Sequence, residues 1–138
     1  MSTPFEPTMT ILYVDNPVRS AAFYADLLGK QPVESSPTFA AFRLESGVML
    51  GLWSKHTVEP AAQAGGGGCE VVFGLPDYDT VGHVFADWSG RGLRILQAPV
   101  ELDFGRTFVA LDPDGHRLRA FAMAPQQEAA MPETGEAR

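Results

Sequence analysis

The residues best equipped for chemistry lie in one short stretch, LDPDGHRLRAFA, at positions 111–122. Asp112-Pro113-Asp114-Gly115 is turn chemistry: proline presets φ, aspartate bonds its own backbone, and glycine tolerates positive φ. Beyond the turn, Leu118, Ala120 and Ala122 alternate with Arg117, Arg119 and Phe121, the period of a strand. One face is small and apolar. The other bears two guanidiniums and a ring, groups that bind carboxylates bidentately or stack on flat molecules. That face is either solvated surface or the wall of a binding site.

Other reactive side chains form no constellation. His56 lies beside a glycine-rich linker, His83 on a predicted helix and His116 in the turn, all three expected at the surface. The single Cys69 excludes an intrachain disulfide framework and a cysteine-rich zinc site, and is expected to pack as a small hydrophobe. No nucleophile–base pair is evident, and the acidic turn supplies too few ligands for a calcium loop.

The elements that must position these residues follow from local signals. TMTILYV (8–14) has strand composition and runs into Asp15-Asn16-Pro17, a helix start with Asn16 or Asp15 as cap. Val18, Ala21, Ala22, Ala25 and Leu28 recur at helical spacing, Phe23 and Leu27 widen the stripe, and Gly29 ends the helix. Strands are predicted at 30–34, 38–44 and 48–54. HTVEPAAQAGGGG (56–68) reads as a linker. The pattern then restarts: a strand at 69–75, a helix over 78–89 opened by Pro76-Asp77, and strands near 93–97, 105–111 and 116–123.

The chain is thus a strand–helix–three-strand unit used twice. Val14 and Leu75 stand 61 positions apart, and at that offset Leu27 meets Trp88 and Gly29 meets Gly90. By Leu50 and Leu118 the offset is 68, which places a seven-residue insertion around 97–104. We expect a single domain over 1–125, with modules at about 8–55 and 69–124, and a disordered tail at 126–138.

Composition narrows the function classes. A net charge of −7 and a pI near 4.8 argue against a nucleic-acid surface, which needs a basic stripe. No apolar run approaches the roughly 20 residues of a membrane helix, and MSTPFEPTMT has no signal-peptide pattern. A cytoplasmic protein with no nucleic-acid or membrane partner is the simplest expectation.

Two such units resemble the paired βαβββ modules of the vicinal oxygen chelate superfamily of glyoxalases, extradiol dioxygenases and bleomycin-resistance proteins. YVDNPVRSAAFYADLLG and GRTFVALDPDGHRLRAF carry the likeness, which spans about residues 8–124. MLGLWS (49–54) and FGRTFVALDPDGHRLR (104–119) are similar to stretches of its phenazine-antibiotic-resistance members. The resemblance implies an α+β fold in which two modules form cup-shaped mixed sheets with helices on the outer face. It also implies a homodimer with cavities shared between subunits.

Metal-dependent members place one ligand, His or Glu, on the first and last strand of each module. At those positions this chain has Met9, Gly51, Glu70 and Arg119, of which only Glu70 is a metal donor. No metal or cofactor is expected. Arg119 instead implicates its face as a cavity wall. Alternation then assigns Met9, Ile11 and Tyr13 to the same lining, with Met49, Gly51 and Trp53, with Glu70, Val72 and Gly74, and with Arg106, Phe108, Ala110 and Phe121. Phe39 and Ala41 join from the third strand.

This aromatic- and methionine-rich lining suits a planar aromatic ligand. Trp53, Phe108 and Phe121 offer stacking faces, Gly51 opens a slot against backbone, and Arg119 either meets a ligand carboxylate or pairs with Glu70. The same aromatic residues are readable as core packing. The function implied is a metal-free protein that sequesters a planar aromatic molecule such as a phenazine-type antibiotic and so confers resistance. The rivals are a glyoxalase-like or dioxygenase-like metalloenzyme with relocated ligands, for instance Glu70 with His56 and Glu59, and an accessory carrier of an antibiotic biosynthetic pathway.

Overall fold

The computed structural model describes residues 6–125; the tail expected at 126–138 lies outside them. The elements run β1 (Met9–Val14), α1 (Pro17–Leu28), β2 (Glu34–Ser35), β3 (Phe39–Arg43), β4 (Met49–Ser54), β5 (Glu70–Gly74), α2 (Tyr78–Gly90), β6 (Arg94–Leu102), β7 (Gly105–Leu111) and β8 (Arg117–Met123). They form two mixed four-stranded sheets of the same topology, β1-β4-β3-β2 and β5-β8-β7-β6. The fold is α+β, a βαβββ module used twice. Among the described residues two compact units contain them: 6–69 with Asp112–His116, and Glu70–Leu111 with 117–125.

Both helices begin where side-chain chemistry sets them. The Asn16 side chain accepts from the Arg19 N–H at 3.1 Å, with Pro17 at the first helical position, and Gly29 closes the helix at φ +68°. Asp77 caps α2 in the same way, accepting from the Thr80 N–H at 2.8 Å. The α1 stripe is rotated from the expected one: Pro17, Ser20, Ala21 and Tyr24 are buried, whereas Val18 and Ala22 are exposed. The reason is Tyr24, whose ring fills the core while its hydroxyl finds a buried acceptor.

In the first unit α1 packs on β3 and β4, against Ala40, Phe42, Leu50 and Leu52. In the second, α2 packs on β6, β7 and β8. Trp88 meets Phe73 and Phe108 edge to face at 5.4 and 5.3 Å, and Phe85 meets Phe108 at 5.3 Å. The inserted residues lengthen β6, which has nine residues where β2 has two. With β7 it makes a long hairpin, bulged on either side of Gln97, in which Leu102 pairs Gly105 across the tip Asp103-Phe104.

The opening turn, 112–116, belongs to the first unit. Asp112 is buried, and its Oδ1 accepts the N–H groups of Asp114 and His116, each at 2.8 Å. Its Oδ2 accepts the Tyr24 hydroxyl at 2.7 Å. Burial and the Asp112 carboxylate push the Tyr24 phenol far above its ordinary pKa. Asp114 accepts from the Asp15 N–H at 2.9 Å, and His116 Nε2 donates to the Tyr13 carbonyl at 2.8 Å. His116 is therefore not the surface residue its turn position suggests: it is 5% exposed, because its second nitrogen satisfies a strand-end carbonyl. Cys69 departs in the other direction and is exposed. The glycine run is more than a spacer, since a Cβ on Gly66 would lie 2.5–2.7 Å from the Gly115–His116 backbone.

Candidate functional site

Each sheet has one face covered by its helix and one turned away. In the first sheet the register places Met9 beside Met49, Ile11 beside Gly51, and Tyr13 beside Trp53, with Phe39 paired to Trp53 on the other side. These residues share the face opposite α1, as alternation predicts. Met9, Ile11 and Tyr13 stay substantially exposed, and the Phe39 and Trp53 rings meet edge to face at 6.1 Å. The slot over Gly51 is filled from within. A Cβ there would come within 3.2 Å of both Ile11 and the Phe39 ring, so Gly51 accommodates Phe39 and not a ligand.

In the second sheet Glu70 pairs with Arg117, Val72 with Arg119 and Gly74 with Phe121, all on the face away from α2. Here the expected lining needs correction at β7. Thr107 pairs Phe121 and Val109 pairs Arg119, so Thr107 and Val109 lie on this face, and Arg106, Phe108 and Ala110 lie on the other. Phe108 is completely buried among Phe85 and Trp88, and the Arg106 guanidinium sits 5.4 Å from the Tyr78 ring centroid. The backbone bond from Asp112 N–H to the His116 carbonyl, 3.0 Å, closes a five-residue turn and fixes this phase. The strand itself, GRTFVAL, is apolar on both faces and gives no phase of its own.

Glu70, Val72, Phe104, Arg119, Phe121 and Met123 line an open concavity of about 580 Å³ on this face. That lies within the roughly 300–1,000 Å³ of small-molecule sites. Its walls are apolar. Phe104, at the hairpin tip, meets Phe121 edge to face at 5.7 Å and is 42% exposed, and Met123 is 64% exposed. Phe104 and Met123 were missed from sequence: one sits in the insertion, the other is the last residue of the last strand. The signal available for Phe104 was its place directly before Gly105, whose φ of +147° and contact with the Ala122 carbonyl leave no room for a side chain.

The polar floor is a closed ion pair. Arg119 Nε donates to Glu70 Oε1 at 2.8 Å and Nη2 to Oε2 at 2.9 Å, the bidentate geometry of the strongest guanidinium–carboxylate pairs. Nη1 donates to Thr107 Oγ1 at 3.1 Å, and that hydroxyl donates to the Ala120 carbonyl at 2.9 Å. Arg117 Nη1 stands 3.8 Å from Glu70 Oε2. Hydrogen bonding from Arg119, opposed by partial burial, holds the Glu70 carboxyl below its ordinary range, and the same bond raises the Arg119 guanidinium. Arg119 thus pairs with Glu70, a role compatible with contact to a ligand.

Comparison with known proteins supplies the family. The sequence profile of the Glyoxalase/Bleomycin resistance protein/Dioxygenase superfamily matches residues 7–120. The chain belongs to that superfamily. Within it, the phenazine antibiotic resistance protein EhpR of Enterobacter agglomerans is 32% identical over 116 residues, covering 82% of this chain and 88% of that protein. The solution structure of protein ATC0852 from Agrobacterium tumefaciens is 52% identical with a TM-score of 0.81, covering 88% of this chain and all of that one. A glyoxalase-related enzyme from Fulvimarina pelagi shares the fold at 19% identity, with a TM-score of 0.73 over 85% of this chain and 87% of that one.

Many members of the superfamily use a divalent metal, and the donor set here does not fit one. Of Met9, Gly51, Glu70 and Arg119, only Glu70 is a suitable ligand, and its two oxygens already face a permanent cation. In the relocated set, His56 Nε2 pairs with Asp15 Oδ1 at 2.6 Å. Among the described residues no group of three His, Cys, Asp or Glu is placed to hold a metal ion. None of the described helices is long and apolar enough to cross a membrane.

Proposed function

We propose that this protein binds a planar aromatic small molecule, of the phenazine-antibiotic type, and protects by sequestering it. The observation that carries the reading is the concavity around Phe121: apolar walls, two rings and a polar floor confined to one paired cluster. Flat ligands gain from ring faces and from adaptable methionine, both present here and again on the first sheet in Trp53, Met9 and Met49. The likeness to a phenazine antibiotic resistance protein over most of both chains supports the same reading. A sequestering protein acts stoichiometrically, and we take this one to do so in the cytoplasm as a homodimer.

Expression in a phenazine-sensitive bacterium tests it. Protection should rise in proportion to the amount of protein, and the compound should be recovered chemically unchanged from the protein. Catalytic consumption of the compound, or no protection at high expression, would overturn the proposal.

A further inference from the structure

The arrangement of the floor limits what kind of polar edge a bound ring can present there. Resting on the binding reading above, we propose that the concavity selects a neutral edge that both donates and accepts hydrogen bonds, such as a carboxamide, over a carboxylate. A guanidinium has five N–H donors. Arg119 commits three, two to Glu70 and one to Thr107, which leaves two, and the residue lines the concavity. Glu70, whose side chain is 26% exposed, retains lone pairs for a donor.

An incoming carboxylate meets a different balance. Its complementary fork is already occupied, so it must either displace Glu70 or lie beside it as a second anion. Arg117, the other guanidinium on this face, also points at Glu70. Arg106 lies on the opposite face of the sheet, where it is directed to Glu101 at 3.7 Å, and supplies no charge to the site. The two guanidiniums of this region, Arg117 and Arg119, are thus both turned toward Glu70. A carboxamide places N–H against Glu70 and C=O against Arg119 with no charge to neutralise.

Calorimetric titration of the full-length protein with phenazine-1-carboxamide and phenazine-1-carboxylate near pH 7.5 tests the proposal. The carboxamide should bind about tenfold more tightly or better, the difference made by one mismatched charge-assisted bond. Glu70→Gln should reverse the order, because removing the negative charge frees the Arg119 fork for the acid. Tighter or equal binding of the acid by the native protein would overturn the inference and leave the planar-aromatic reading standing, as would an unchanged preference in a folded Glu70→Gln protein. If the variant fails to fold by circular dichroism, the native protein's preference decides alone. Failure of both compounds to bind would overturn the binding reading and this inference with it.

Discussion

Replacing Tyr24 by Phe removes one oxygen and leaves the ring in place, which makes it a clean probe of the turn that anchors residues 112–116. The Tyr24 hydroxyl donates at 2.7 Å to a buried carboxylate, and both groups are essentially inaccessible to water. A hydrogen bond to a charged acceptor contributes roughly 1.5–3 kcal/mol, and burial here argues for the upper half. For a chain of this size that is a fall in melting temperature of roughly 5–12 °C. Urea unfolding should show a lower midpoint at unchanged slope, since the surface exposed on unfolding stays the same. Asp112→Asn gives the second edge of a double-mutant cycle. Asn can still accept from the Asp114 and His116 N–H groups but turns its NH2 toward Tyr24, so the cycle reads the charge-assisted part of the phenol bond. A loss below about 0.5 kcal/mol for Tyr24→Phe, or strict additivity in the cycle, would refute the argument that this bond holds the turn.

Three shorter tests bear on the second sheet. Glu70 titrates below its ordinary range in the folded protein, so its contribution is complete above the unfolded pKa and is lost as pH falls through the lower folded one; melting temperature should therefore drop more steeply below about pH 5 in the native protein than in Glu70→Gln, and parallel curves would show the pair to be energetically idle. Phe108→Ala should cost about 3–5 kcal/mol of stability, as for a large ring removed from a packed core, whereas Phe121→Ala should weaken phenazine binding with a smaller stability loss; the reverse order in denaturation and titration would mean the β7 register is wrong. Gly105→Ala should disturb the hairpin tip and weaken ligand binding through Phe104, and an unaltered affinity in a folded variant would show that Phe104 takes no part.

Much of this architecture is written locally in the chain. Asn16-Pro17 and Asp77 set the helix starts because capping is a matter of adjacent residues, and the turn at 112–115 is legible in its own Asp-Pro-Asp-Gly chemistry. The same two backbone bonds close the β3–β4 turn at Leu44–Val48 and the β7–β8 turn at Asp112–His116, which is why the 68-residue offset emerges from sequence. Faces on β1, β4, β5 and β8 were readable because the resemblance marks one position on each, Met9, Gly51, Glu70 and Arg119, and strand geometry extends the face to every second residue. The face of β7 was not, because its TFVAL run suits either side until the turn closure fixes it. Tyr24 and Asp112 are 88 residues apart, and no local pattern pairs them. Phe104 entered the site by the geometry of an inserted hairpin, a property of pairing and not of composition.

Binding of a flat aromatic ligand is tested most directly by tryptophan fluorescence. Trp53 lies partly exposed on the open face of the first sheet, and Trp88, on α2, is buried against Phe73 and Phe108. Titration with phenazine-1-carboxamide should quench emission saturably, and Phe121→Ala, which removes a ring from the concavity, should move the titration to higher ligand concentration. Emission that stays flat in the native protein, with calorimetry also silent for planar aromatics, would contradict the account.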